Sequence, residues 1–223
     1  MKSMSEVQRR AQEMMSRHGF LGVPVKTFEK AGREQLVQLL RFGLCPESRV
    51  VELGCGCLRI AYWLVRFLDP GCYCGIEPAR IRVECGLKYL FSEEEISSKR
   101  PQFDNNAQFD TSVFQTRFDY FLARSIWTHA SKGQIEASLD SFVRDATESG
   151  MFLASYLPAR REDEDYRGTT WVGTSHESDI PGVIRHSLAW IVEQCGRRGL
   201  RVEKIDGIDC DSQYWLCVRR RVQ

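Results

Sequence analysis

The stretch Val50-Val51-Glu52-Leu53-Gly54-Cys55-Gly56-Cys57 decides the fold. Three apolar residues surround an acid, as in a buried strand that ends beside a polar site. A Gly-x-Gly turn follows and leads directly into Leu58–Leu68, whose apolar spacing predicts an amphipathic helix. Glycine is needed where a strand reverses tightly into a helix, and where backbone must approach a ligand without an intervening Cβ. Glu52 says something about that ligand. A carboxylate beside the loop would repel a pyrophosphate and would hold an ammonium group.

Two further stretches fall in the order that this reading requires. Tyr73-Cys74-Gly75-Ile76-Glu77-Pro78 is an apolar strand ending in an acid, and Glu77 lies 23 residues after Gly54 (77 − 54). That spacing suits an acid at the end of the second strand, where it accepts hydrogen bonds from two ribose hydroxyls. Arg117-Phe118-Asp119-Tyr120-Phe121-Leu122-Ala123-Arg124-Ser125 reads as a further strand. Together these stretches resemble the class I S-adenosylmethionine (SAM)-dependent methyltransferases, whose motif I is apolar-x-Glu/Asp-x-Gly-x-Gly. The resemblance covers the region 48–156. It implies an α/β fold with a doubly wound, mostly parallel seven-stranded sheet, helices on both faces and a C-terminal antiparallel hairpin.

The resemblance also implies SAM as cofactor. Glu52 then takes the ammonium, Gly54, Cys55 and Gly56 form the close-approach loop, and Glu77 with Pro78 takes the ribose. Arg59, expected in the first turn of the helix after the loop, is a cation at the positive end of a helix dipole. It needs a compensating partner, either the SAM carboxylate or a surface ion pair. Phe109 and Asp110, with Asn106, are candidates for adenine. Arg124 and Ser125, beyond the fourth strand, would lie near the methionine part. His129 and Tyr156, at the ends of the fourth and fifth strands, are the candidate catalytic pair. Histidine can act as a base near neutral pH, although a packing histidine and a structural tyrosine are the plainer explanations. Tyr166, Trp171 and His176 sit in a segment expected to cover the acceptor.

Bulk composition bounds the function. The 223 residues are 43% hydrophobic and 27% charged, ordinary values for a soluble globular protein. Lys and Arg total 31 against 30 Asp and Glu, which argues against a nucleic-acid partner. No apolar stretch approaches membrane-spanning length and the polar N-terminus lacks a signal peptide, so a cytoplasmic protein without membrane contact is expected. The nine cysteines read as reduced thiols. Cys55/Cys57 and Cys72/Cys74 lack the Cys-x₂₋₄-Cys spacing of zinc sites, so no metal is expected.

Periodicity predicts helices at Ser5–His18, Gly32–Phe42, Pro78–Leu90, Gly133–Glu148 and Gly182–Arg198. Strands are predicted at Arg49–Leu53, near Gln102–Asp104 or Ala107–Phe109, at Tyr120–Ala123, at Gly150–Tyr156, and at Val202–Ile205 with Tyr214–Val218 around an Asp206–Ser212 loop. Residues 91–117 read as polar and irregular. Residues 1–30 are expected to form a helical lid, 31–223 the catalytic domain, and 157–182 a substrate-covering insertion. There is no Asn-Pro-Pro-Tyr or Asp-Pro-Pro-Tyr run and no Pro-Cys pair after the fourth strand. The expected reaction is therefore methyl transfer to a small molecule, with the acceptor atom and oligomeric state unspecified. One alternative is a SAM cyclase or lyase that releases methylthioadenosine; the other is a non-catalytic SAM-binding module.

Overall fold

The computed structural model describes residues 4–175, 178–210 and 213–221, with 206–210 described in backbone alone. His176 lies outside the described residues. In chain order the elements are α1 (Glu6–His18), α2 (Phe28–Arg41), β1 (Val50–Leu53), α3 (Ala61–Phe67), β2 (Tyr73–Ile76), α4 (Arg80–Leu90), α5 (Glu93–Lys99), β3 (Gln102–Asp104), β4 (Phe118–Ala123), α6 (Lys132–Asp145), β5 (Ala146–Tyr156), α7 (Leu188–Arg197), β6 (Leu200–Cys210) and β7 (Gln213–Arg220). The strands form one seven-stranded sheet in the order β3-β2-β1-β4-β5-β7-β6. The β2/β3, β1/β4 and β4/β5 pairs are parallel, and β7 runs antiparallel to both β5 and β6. The order turns back at β1 and restarts at β4. In an open α/β sheet that reversal opens a crevice at the carboxyl ends of the two strands concerned.

The chain divides into two compact units, Met1–Ser48 with Cys55–Asn105, and Arg49–Gly54 with Asn106–Gln223. In the first, α1 buries Val7, Ala11 and Met14, a stripe at helical spacing, and packs on α4. Ser5 caps α1 by accepting from the Gln8 amide. The start of α2 is capped from a distance. Gln8 accepts from the Glu29 N–H at 3.2 Å and donates to the Val25 carbonyl at 2.6 Å, so the helix begins at Phe28 and not at the expected Gly32. Conversely α3 begins later than expected, at Ala61. Leu58 is held at φ 64°, which no α-helix admits. Arg59 therefore lies just before α3 and not in its first turn.

Residues 91–117 contain a helix that the irregular reading missed. In α5, Ser92 and Glu95 form a reciprocal capping box, a pattern legible as Ser-x-x-Glu. The third strand is at the first of its two expected places. Gly182–Arg198 is corrected as well. Ser187 accepts from the Trp190 N–H, which starts α7 at Leu188. The residues before it are extended, with Arg185 and His186 bridged to Asp165 and Pro158.

In the second unit the core is aromatic. Phe121 packs edge-on against Phe142 and Phe118 at 5.2 and 5.7 Å, and Trp127 against Phe152 at 5.5 Å. Each such pair adds about 0.5–1.5 kcal/mol beyond its buried area. The closing hairpin is longer than its sequence pattern suggests. Asp206–Cys210, expected in a loop, continue β6. No helix among the described residues is long and apolar enough to cross a membrane.

Candidate functional site

The glycine turn and the acid of β2 are built together in the first unit. Cys55 N–H donates to the Ile76 carbonyl at 3.0 Å, which ties the turn to β2. Gly56 has φ 54° and its N–H donates to Glu77 Oε2 at 3.0 Å. Glu77 Oε1 accepts from the Ala79 N–H at 3.0 Å and faces Arg82 Nη1 at 3.5 Å. Asn105 Nδ2 donates to the Glu77 carbonyl at 2.7 Å, holding the main chain from the other side. Glu77 is only 4% exposed, so these partners offset the cost of burying its charge. Each carboxylate oxygen still has lone-pair capacity for a further donor. A Cβ on Gly56 would meet nothing within 4 Å, so the turn leaves open space beside this carboxylate.

Packing around the turn depends on small residues. A Cβ on Gly86 of α4 would lie 2.8 Å from the Cys57 carbonyl, and one on Gly32 of α2 would lie 2.7 Å from the Arg59 carbonyl. Arg59 is buried, and Pro78 leads from β2 into α4 by accepting from the Arg80 N–H. Burial pushes the Cys57 thiol up to about 12, so it is a packing group and not a nucleophile.

The second unit holds the carboxyl ends of β1 and β4, where the strand order reverses. Glu52 on β1 is 5% exposed. Gly54 has φ 71°, and a Cβ there would sit 2.1 Å from Ile126 Cδ1 of the segment after β4. This glycine thus serves both the turn and close packing. Beyond β4, Arg124 leads to Ser125, which has the left-handed φ of 62°. The Ser125 N–H donates to Ser155 Oγ at 2.7 Å.

His129 follows. Its Nδ1 lies 2.6 Å from the Val172 carbonyl, its ring stacks on Trp171 at 5.5 Å and 19°, and its own carbonyl accepts from the Val172 N–H. A carbonyl can only accept, so Nδ1 carries the proton and the neutral ring has its lone pair on Nε2. Gly173 permits this clamp, since a Cβ there would lie 2.5 Å from His129 Nδ1. The segment is pinned again where the Ile184 N–H donates to the Thr128 carbonyl at 2.8 Å. Tyr156 is buried and packs edge-on to Tyr214 at 6.4 Å. Burial, reinforced by Tyr214, pushes its phenol up to about 12. Near neutral pH it is a donor and not a base.

Phe109 and Asp110 lie on a loop clasped by Asn106, which donates to the Asp110 carbonyl and accepts from its N–H. Phe109 is buried at φ 55°. The Asp110 carboxylate caps the turn Thr111–Phe114 through Ser112 and pairs with Arg144. Its hydrogen bonds to Ser112, with Arg144, hold its pKa below the ordinary value. Tyr166 bonds the Thr170 carbonyl and packs edge-on to His186.

Asn105, Arg82, Ser155, Gly173 and Gln213 were not among the sequence candidates. Asn105 directly follows β3 and Ser155 directly precedes Tyr156, so both carry a positional signal. Gln213 carries none.

No family model and no curated protein matches this sequence. Solved structures match its fold. Magnesium protoporphyrin IX methyltransferase (ChlM) from Synechocystis PCC 6803, with bound SAH, aligns at TM-score 0.61 and 15% identity over 96% of this chain and 93% of that one. A DhpI–SAM–HEP complex aligns at 0.62 and 14% over 97% and 100%. The glycopeptide N-methyltransferase MtfA complexed with SAM aligns at 0.62 and 13% over 85% and 94%. The chain has the Rossmann-like fold of the class I SAM-dependent methyltransferases.

Proposed function

We propose that this chain is an enzyme that binds SAM and directs methyl transfer to a small-molecule acceptor. One observation carries the reading most of the way. Glu77, fixed by two backbone N–H groups and Arg82, borders a left-handed glycine turn with open space over it. A buried carboxylate with spare lone pairs suits a ribose diol, and the absent Cβ suits close backbone approach. Bound SAM supplies an electrophilic methyl on a sulfonium.

The remaining roles are assigned by chemistry. Glu52 accepts from the ammonium. Arg59 is matched to the carboxylate, as are Arg124 and Ser125 as donors to the methionine part. Pro78 and Cys55 line the cofactor, and Phe109 with the Asp110 loop takes the adenine. His129 serves as general base through Nε2, with its orientation set by Val172 and Trp171. Tyr156 donates a hydrogen bond to the attacking group or its substituent. Residues 157–182 cover the acceptor and exclude water.

The test is product identity. Purified protein is incubated with SAM and a panel of amine, hydroxyl and carboxylic-acid acceptors, and the adenosine product is identified by mass spectrometry. S-adenosylhomocysteine formed only with an acceptor supports the reading. Methylthioadenosine formed from SAM alone would replace it with a cyclase or lyase.

A further inference from the structure

Gln213, at the amino end of β7, joins the carboxyl ends of β4 and β5 through a directed ring of hydrogen bonds. The Ser125 N–H donates to Ser155 Oγ at 2.7 Å, and the Ser155 hydroxyl donates to Gln213 Oε1 at 2.7 Å. Gln213 Nε2 then donates to Ser125 Oγ at 2.8 Å. Ser155 is fully buried. Reversing the Gln213 amide would strand the Ser155 proton without an acceptor, so satisfaction fixes the direction of the ring. Ser125 Oγ is thereby used as an acceptor, and its own proton points onward. The neighbour in reach is Thr128 Oγ1 at 3.3 Å, longer than a normal hydroxyl hydrogen bond. Such a contact yields readily to a better acceptor.

The same ring stabilises the left-handed backbone of Ser125, which is costly for a residue with a Cβ. Ser125 is therefore a poised donor at the strand ends where the sheet order reverses. A donor there suits a carboxylate and disfavours an ammonium, and the adjoining Arg124 adds positive charge.

We propose that Gln213 is a positioning residue that sets Ser125 as hydrogen-bond donor to the carboxylate at the amino-acid end of SAM; this rests on the SAM reading above. Calorimetry on the full chain tests it with two probes. S-adenosylhomocysteine has the amino-acid end, and 5′-methylthioadenosine lacks it. Gln213→Glu keeps the side chain's shape but accepts where the amide donated, turning the Ser125 proton back toward position 213. Ser125→Ala removes the donor.

Each variant is expected to weaken S-adenosylhomocysteine roughly tenfold, as for one lost hydrogen bond to a charged group. Methylthioadenosine affinity should stay within about twofold, and the double variant should be no weaker than either single one. A purely structural role would lower both ligands together. Should Gln213→Glu not fold, Gln213→Met removes the donation at similar length without adding charge. Unchanged S-adenosylhomocysteine affinity in the folded variants, or parallel loss of both ligands, overturns the proposal and leaves the SAM reading standing. A wild-type chain that binds neither probe overturns both.

Discussion

The turn at Gly56 and the clamp at His129 are built by opposite means. The first is local. Gly56 and Glu77 are 21 residues apart, the next acid-to-loop contact spans 28, and the groups are mostly backbone N–H donors on one carboxylate. The second is remote. His129 meets Val172 across 43 residues, and Ser125 meets Gln213 across 88, through imidazole, hydroxyl and amide groups. Contacts between groups close in sequence cost less closure entropy and leave a readable spacing. Contacts set by strand order leave none. A chain of this kind can hold its turn chemistry in a short motif while its remote chemistry depends on the whole sheet.

The largest expected effect attacks the remote clamp. His129→Ala should lower turnover roughly 10²-fold or more, the scale of a lost general base, while SAM affinity changes much less. Gly173→Ala should approach the same loss without altering His129, because its Cβ would collide with Nδ1 at a left-handed φ of 123°. Steady-state kinetics at saturating SAM separates these cases. Wild-type turnover in both variants would move the acceptor chemistry away from His129 and toward the 157–182 segment.

Next comes the local turn. Glu77→Gln keeps the shape but weakens a charged acceptor. SAM affinity by calorimetry should fall roughly 10- to 100-fold, at about 1.5–3 kcal/mol for such bonds. Gly54→Val should abolish binding through Ile126. Unchanged affinity in both folded variants would end the comparison, since the turn would then serve packing alone.

A smaller effect concerns pH and the remote region. His186 is buried and donates through Nε2 to the Ala130 carbonyl. Burial lowers its pKa below the ordinary 6.5, outweighing that hydrogen bond and nearby Asp165. As pH falls below 6.5, the unfolded ring takes up a proton before the folded one does. The stability contributed by the neutral ring is thus full above that value and lost below it. Denaturant midpoints should decline from about pH 7 to about pH 5.5, and His186→Gln should flatten the decline. Identical slopes would show that the ring does not matter to the segment's attachment.

The smallest effect is a silent one. Cys57, its thiol raised to about 12 by burial, should resist alkylation in the native state, while the half-buried Cys45 and Cys72 react. Peptide mass spectrometry reads the difference. Rapid labelling of Cys57 would mean that the turn opens far more often than its packing implies.

Legibility followed the same division. The Val50–Cys57 run, the acid at Glu77 and the sheet with its closing hairpin were readable because strand period, glycine spacing and alternation are local signals. The start of α2 was not, since Gln8 supplies its cap from another helix. Leu58 reads as a helix residue by pattern, yet its left-handed backbone delays α3. The α5 capping box was present in Ser92-x-x-Glu95 and was passed over amid polar residues. The cap that Asp110 gives the turn Thr111–Phe114 was also unread, since it forms through Ser112 in a run without periodicity. Gln213 is silent in sequence because its partners lie far off in the chain, on β5 and on the segment after β4.

One consequence of the hairpin concerns synthesis. The last of the sheet's strands in chain order, β7, sits inside the sheet, between β5 and β6. While the ribosome is still translating β6, the β5 edge has no native neighbour. Until residue 220 has emerged, Phe152 and Leu153 border an open ladder, the kind of edge that recruits another nascent chain. Pausing within the codons for residues 200–220 would lengthen that exposure, and chaperone demand should be greatest there.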